Sequence, residues 1–298
     1  MPSPNVLVVG GSGFLGQSLV LCLFQTGIRF SYTYRNCTRS TNLVCSDRAF
    51  YFDVESSDIS FLSHSEYTHV ICLLPIANSL PLINSAPLFP SIAFIFLSTT
   101  AIYTGFDSPY RAARLHAENL LLQNCPSCVI IRPTMIVGSL TYDTVGKLLV
   151  RFSSQGFGFL PRPFFGSCFF QPIDVYDLSR LIVSFVRIPL PSSALPHVCD
   201  VGGSKPVSFF RYFRFAAEIF DFKLIVLPLP FCLLLPALRL LGSFGLKNAI
   251  YLHEKLYRLQ EAKVVPNRIH PLIKFSPGSY WSSLARLRIE YFLRNPIA

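Results

Sequence analysis

Unbroken apolar runs alternate with apolar residues at helical spacing through the first half of this chain. Residues 5–11, NVLVVGG, are rich in β-branched side chains and end in glycine, the pattern of a parallel strand buried on both faces. Residues 13–27, GFLGQSLVLCLFQTG, carry apolar positions spaced for a helix and stop at a glycine. Further strand-like runs follow at 28–35 (IRFSYTYR), 49–54 (AFYFDV), 68–75 (THVICLLP), 92–99 (IAFIFLST) and 127–138 (SCVIIRPTMIVG). Between the last two, residues 109–124 (PYRAARLHAENLLLQN) read as a helix with a proline just inside its start. Strands alternating with helices predict an α/β fold, a Rossmann-type doubly wound parallel sheet.

Beyond residue 140 the texture changes to loop, short strand and helix over 153–186, and then to a helix within 204–220. The division expected is a dinucleotide-binding domain over 1–165, with contributions from 166–205, and a small C-terminal lobe over 206–298 facing substrate or membrane. Residues 224–237 (LIVLPLPFCLLLPA) are uncharged and broken by Pro228, Pro230 and Pro236. The run is shorter than the ~20 residues a bilayer span needs, and its prolines oppose a helix. Two readings stand: a buried element of the lobe, or peripheral membrane contact through 224–246, helped by Arg239 and Lys247.

A chain of 298 residues suffices for a sizeable core, and 51% hydrophobic content with 14% charged residues excludes a disordered chain. The net charge of +10 and pI of about 9.3 favour anionic partners: phosphates, nucleotides or an anionic membrane face. The basic residues are scattered, without zinc-finger or RNA-recognition spacing, so nucleic acid is not expected as a partner. Nine cysteines, irregularly spaced and mostly in apolar runs, indicate a reducing compartment. Cys125 and Cys128 read as the turn before a strand rather than a redox or metal pair, and the six histidines lack metal-ligand spacing. The opening MPSPNVLVVGG has no signal-peptide pattern. A cytoplasmic protein is expected, peripheral at the inner face of a membrane if 224–246 touches one.

Candidate chemistry begins at VVGGSGFLG. Gly10, Gly13 and Gly16 follow the first strand directly and open a helix, the context in which backbone N–H groups reach a pyrophosphate. The second strand ends in Arg35 with no acid to hold a ribose 2′-hydroxyl, so NADP is favoured and NAD remains possible. Asp53, ending the third strand, is placed either to accept from an adenine amino group or to cap the turn that follows.

In order, GxxGxxG, FDV, STTAIY, YxxxR, IIRPTMIVG and QPIDVYDLSR resemble the extended and atypical short-chain dehydrogenase/reductases, the NAD-dependent epimerase/dehydratase group. The similarity runs from residue 5 to roughly 290. It is sharpest to a bacterial branch with an Arg-Pro-Thr-Met signature that is often found with surface-polysaccharide functions. The resemblance implies a substrate-bonding hydroxyl at Thr99, with Thr100 as its neighbour and fallback, a tyrosine acid/base at Tyr110, and the family's lysine position at Arg114. It further implies cofactor contacts from Phe14, Leu15, Val54, Leu73, Leu74, Pro133 and Thr134, and a sugar contact from Gln171. Two departures stand out: arginine replaces lysine, and the run from Thr99 to Tyr110 is short. Tyr103 is a second tyrosine candidate, and Tyr110 has an alternative role as a surface aromatic at a helix start. Arg132 is expected to pack beneath the site, and Asp177 to cap or orient the helix it starts.

The leading expectation is an NAD(P)-dependent epimerase, reductase or dehydratase acting on a nucleotide- or lipid-diphosphate-linked sugar, with a homodimer as one assembly. The alternative is a non-catalytic NADP(H)-binding subunit of a membrane complex, like the accessory subunit of respiratory complex I that shares this resemblance. A weaker third is a redox-sensing regulator.

Overall fold

The structure, a computed structural model, describes residues 3–35, 45–55, 59–64, 66–125, 128–163, 168–188 and 198–294. The apolar runs form β1 (Asn5–Val9), β2 (Arg29–Tyr34), β3 (Ala49–Tyr51), β4 (His69–Cys72), β5 (Ala93–Leu97) and β6 (Cys128–Pro133). Helices α1 (Phe14–Gln25), α2 (Leu80–Ser85) and α3 (Pro109–Asn124) lie between them. A seventh strand, β11 (Val198–Val201), joins from much later in the chain, giving the order β11-β6-β5-β4-β1-β2-β3 with every pairing parallel. The chain builds outward from β1 to β3, then returns to place β4 on the other side of β1. That reversal opens a crevice at the strands' C-terminal ends, where open α/β sheets bind ligands.

Alternation along each strand explains why the runs are apolar throughout. Val6 and Val8, Ile71, Ile95, Val129 and Ile131 face the core under α1. Their neighbours Leu7 and Val9, Val70 and Cys72, Phe94 and Phe96, Cys128 and Ile130 face the core under α2 and α3.

After β6 come β7 (Ile136–Val137), α4 (Thr144–Gln155), β8 (Phe157–Pro163), β9 (Phe169–Phe170), β10 (Ile173–Asp174), α5 (Val175–Arg187), the seventh sheet strand β11 (Val198–Val201) and β12 (Val207–Ser208). The chain ends with α6 (Phe209–Phe220), β13 (Lys223–Leu229), α7 (Phe231–Ser243), α8 (Lys247–Gln260) and α9 (Tyr280–Arg294). Helix α5 covers the sheet beside α1, and the Ser179 hydroxyl donates to Ser18 at 2.9 Å. A third core joins α4 and β8 to α6 and α9 around Leu149, Phe152, Tyr212 and Phe213. Residues 144–163 thus pack with the later part of the chain.

Three local expectations change. The run 127–138 divides into β6 and β7. The run 224–237 is neither one element nor wholly buried: it gives β13 and then α7, which continues through Pro236. Proline there removes the bond to the Cys232 carbonyl, but both residues are exposed, so water can meet that oxygen. At α5 the cap is Asp174, whose carboxylate accepts from Tyr176 N–H at 2.8 Å. Asp177 instead accepts from Gly278 N–H at 2.8 Å and pairs with Arg180, tying the chain before α9 to the start of α5.

Candidate dinucleotide cleft and active site

A cleft of about 410 Å³ lies at the C-terminal ends of β1 to β4. Its walls include Gly10, Gly13, Arg35, Asp53, Val54, Leu73 and Leu74, so seven of the sequence-predicted residues meet in one place. Gly10 has φ +86°, a left-handed conformation natural to glycine, and its N–H donates to the Thr33 hydroxyl at 3.0 Å. A Cβ at Gly16 would lie 2.5 Å from the carbonyl oxygens of both Gly10 and Gly11, so α1 can approach β1 this closely only with glycine there. Among the described residues no side chain caps α1, and no acid stands in its first turn. Its N-terminal amides therefore remain to bind an anion in the cleft, and the residues present fit a pyrophosphate.

Phe14 and Leu15 are not among the residues that line the cleft. Leu15 is buried in the core, and Phe14 stacks on Tyr142 with centroids 6.5 Å apart. Arg35 is exposed at the cleft wall, while residues 36–44 lie outside the described residues. Asp53 accepts from Glu55 N–H at 3.2 Å, so the capping role is present while the residue also lines the cleft.

Of the other predicted residues, Thr99 and Thr100 follow β5, Pro133 and Thr134 lie at the end of β6, Tyr110 and Arg114 are on α3, and Gln171 follows β9. Thr99 accepts from Ala101 N–H at 3.2 Å and caps the short helical turn Thr100–Tyr103. Thr100 donates its hydroxyl to the Pro133 carbonyl at 3.2 Å, and Thr134 donates to the Gln171 carbonyl. Next to Thr99, the buried Ser98 hydroxyl has no hydrogen-bond partner among the described residues. The Gln171 amide is engaged at both ends, donating to the Gly203 carbonyl at 2.7 Å and accepting from Val265 N–H at 3.2 Å. It holds two backbone segments together rather than presenting a free amide.

Tyr110 occupies the first turn of α3, half exposed, with the Arg114 guanidinium 3.7 Å over its ring. Tyr103, 53% exposed, joins an ionic network of Glu118, Arg132 and Asp200 that was absent from the sequence reading. Its O–H donates to Asp200 at 2.9 Å and accepts from Arg132 Nη1 at 2.7 Å. Arg132 also binds the Glu118 carboxylate through Nε and Nη2. Burial and the bond to Asp200 raise the Tyr103 phenol above its ordinary pKa, which disfavours phenolate there. Glu118 and Asp200 each left a faint signal: a lone acid on the apolar face of α3, and an acid ending an apolar run.

No family model matches the chain, and no curated protein matches it in sequence. Solved structures do. One is dTDP-glucose 4,6-dehydratase from Bacillus anthracis in complex with NAD, at 12% identity over 98% of this chain and 97% of that one, with a TM-score of 0.68. Another is UDP-glucose 4-epimerase from Thermotoga maritima with UDP-glucose, at 16% identity over 97% and 99%, TM-score 0.67. A third is UDP-glucose 4-epimerase from Thermus thermophilus with NAD, at 17% identity over 98% and 100%, TM-score 0.64. What these share with the chain, over 97–98% of its length, is architecture, and the chain has the fold of these dehydratase and epimerase structures.

Proposed function

We propose that the chain binds a nicotinamide dinucleotide in the crevice at the ends of β1 to β4 and uses it on an activated sugar, nucleotide-linked or lipid-diphosphate-linked. The observation that carries this reading is the 10–16 turn, where Gly10 is left-handed and Gly16 has no room for a Cβ beneath an uncapped helix. The first-turn amides of α1 would hold the pyrophosphate, and Asp53 with Val54 the adenine end. Arg35 would favour a 2′-phosphate, hence NADP over NAD. When bound, such a group accepts or donates hydride. For the chain's own part, Thr99 would hydrogen-bond the reacting sugar oxygen and Tyr110 would carry its proton beside the Arg114 cation. The segment 206–298, with α4 and β8 packed on it, would hold the rest of the substrate.

Native mass spectrometry of the purified protein should find NADP(H) or NAD(H) bound. Gly16→Ala should weaken binding by at least about tenfold, equivalent to ~1.4 kcal/mol. With a nucleotide-linked sugar as substrate, Tyr110→Phe and Thr99→Val should abolish turnover. Unchanged rates would refute those two assignments while leaving the binding reading intact.

A second reading, dinucleotide binding without turnover, is favoured by the arrangement of the two tyrosines. Tyr110 is half exposed beneath Arg114, and Tyr103 is tied to Asp200 and Arg132. Bound cofactor in a protein that turns over no nucleotide-linked or polyprenyl-diphosphate-linked sugar would select it.

A further inference from the structure

Helix α7 is apolar on two opposite faces, and only one of them is covered by the described residues. Phe231 and Leu238 are buried against Ala249 and Leu256 of α8. On the other side Leu233, Ala237, Leu240 and Phe244 follow at intervals of four, three and four residues, which aligns them in one stripe. Phe244 is 76% exposed, Leu233 70% and Leu240 61%. A helix that is apolar all round is normally covered all round. The turn into α8 and the first turns of α8 extend the surface with exposed Leu246 and Tyr251.

The charge along this surface favours an anionic cover. Residues 222–253 contain no Asp or Glu but include Lys223, Arg239 and Lys247. A two-fold pairing of two such stripes would set Arg239 near its own copy, with no carboxylate on residues 231–251 to meet it. An anionic bilayer supplies both an apolar layer for the stripe and negative headgroups for the cations. No helix among the described residues is long and apolar enough to cross a membrane, so contact would lie along the surface. We propose that the α7–α8 hairpin seats this protein on an anionic lipid bilayer, with the Leu233–Phe244 stripe at the acyl boundary and Arg239 among the headgroups. This proposal does not depend on the reaction.

The hairpin is joined to the candidate site. The Glu261 carboxylate, just past α8, accepts from the Thr104 hydroxyl at 2.7 Å and from Gly105 N–H at 2.7 Å. The Phe106 ring lies 5.5 Å from that of Tyr257 on α8. A bilayer under the hairpin would therefore lie beside the loop that follows Thr99.

Flotation of the full chain with phosphatidylcholine vesicles, with and without about one third phosphatidylglycerol, tests this. The chain should float with the anionic vesicles, less so as salt rises. Leu240→Asn with Phe244→Ser, and separately Arg239→Glu, should reduce flotation by about tenfold while melting temperature and dinucleotide binding hold. Absence of flotation by the folded wild type at low salt would overturn the proposal, as would equal flotation of the variants. So would a dimer that the double variant dissolves in a protein that ignores vesicles.

Discussion

Glu118, Arg132 and Asp200 put three charges where water barely reaches, their side chains being 1%, 13% and 6% exposed. One guanidinium serves two carboxylates, and the Tyr103 O–H supplies Asp200 with a further donor. Removing the cation is the most damaging change to such a set, because it leaves two buried carboxylates uncompensated. Arg132→Met should cost about 3–5 kcal/mol in urea denaturation. Tyr103→Phe should cost less, about 1–3 kcal/mol, since it removes one donor and no charge. The expectation that Arg132 packs beneath the site came from the resemblance around IIRPTMIVG, and the structure shows it paired with Glu118 and Asp200. Its partners were not legible, since an acid in an apolar run does not say which distant cation will meet it.

Elements differ in how openly they were written. The inner strands of a sheet covered on both faces are apolar nearly throughout, so β1, β4, β5 and β6 stood out. Strand β11 is four residues long and includes Asp200, which breaks its run. Helix α4 buries Val145, Leu149 and Phe152 at helical spacing, but Gly146 sits in its first turn. That glycine is forced by contact: a Cβ there would lie 1.8 Å from the Ser139 carbonyl oxygen. The cofactor half of the candidate site was readable because its glycines act within a few residues of one another. The substrate half depends on where loops come to rest, and Gln171 turned inward for that reason. One such loop, residues 104–107, is held by Glu261. Glu261→Ala should leave the melting temperature nearly unchanged yet speed hydrogen exchange at the Gly105 amide by about tenfold, because the bond removed is local.

For the molecule as a whole, buried titratable groups bound the pH range of stability. Burial pushes His69 down from 6.5 to about 4. Above pH 6.5 it is neutral in folded and unfolded chains alike. Between pH 6.5 and about 4 only the unfolded chain takes up the proton, so stability falls as pH falls through that window, by up to about 3 kcal/mol. On the alkaline side burial raises Tyr32 to about 12 and also raises Tyr212. Above pH 10 the unfolded chain ionises first, and stability declines as pH rises further. Urea midpoints across pH should trace both limbs, and His69→Phe should make the acid limb shallower. The strand order also governs how this protein is made. The sheet is not finished until residues 198–201 arrive beside β6, and α1 lacks its neighbour until α5 has formed. A growing chain therefore leaves the ribosome with an open strand edge and half of one apolar face bare for most of its synthesis, when strand addition from other chains is most dangerous. The cell must shield this protein longest while its first residues wait for its two-hundredth.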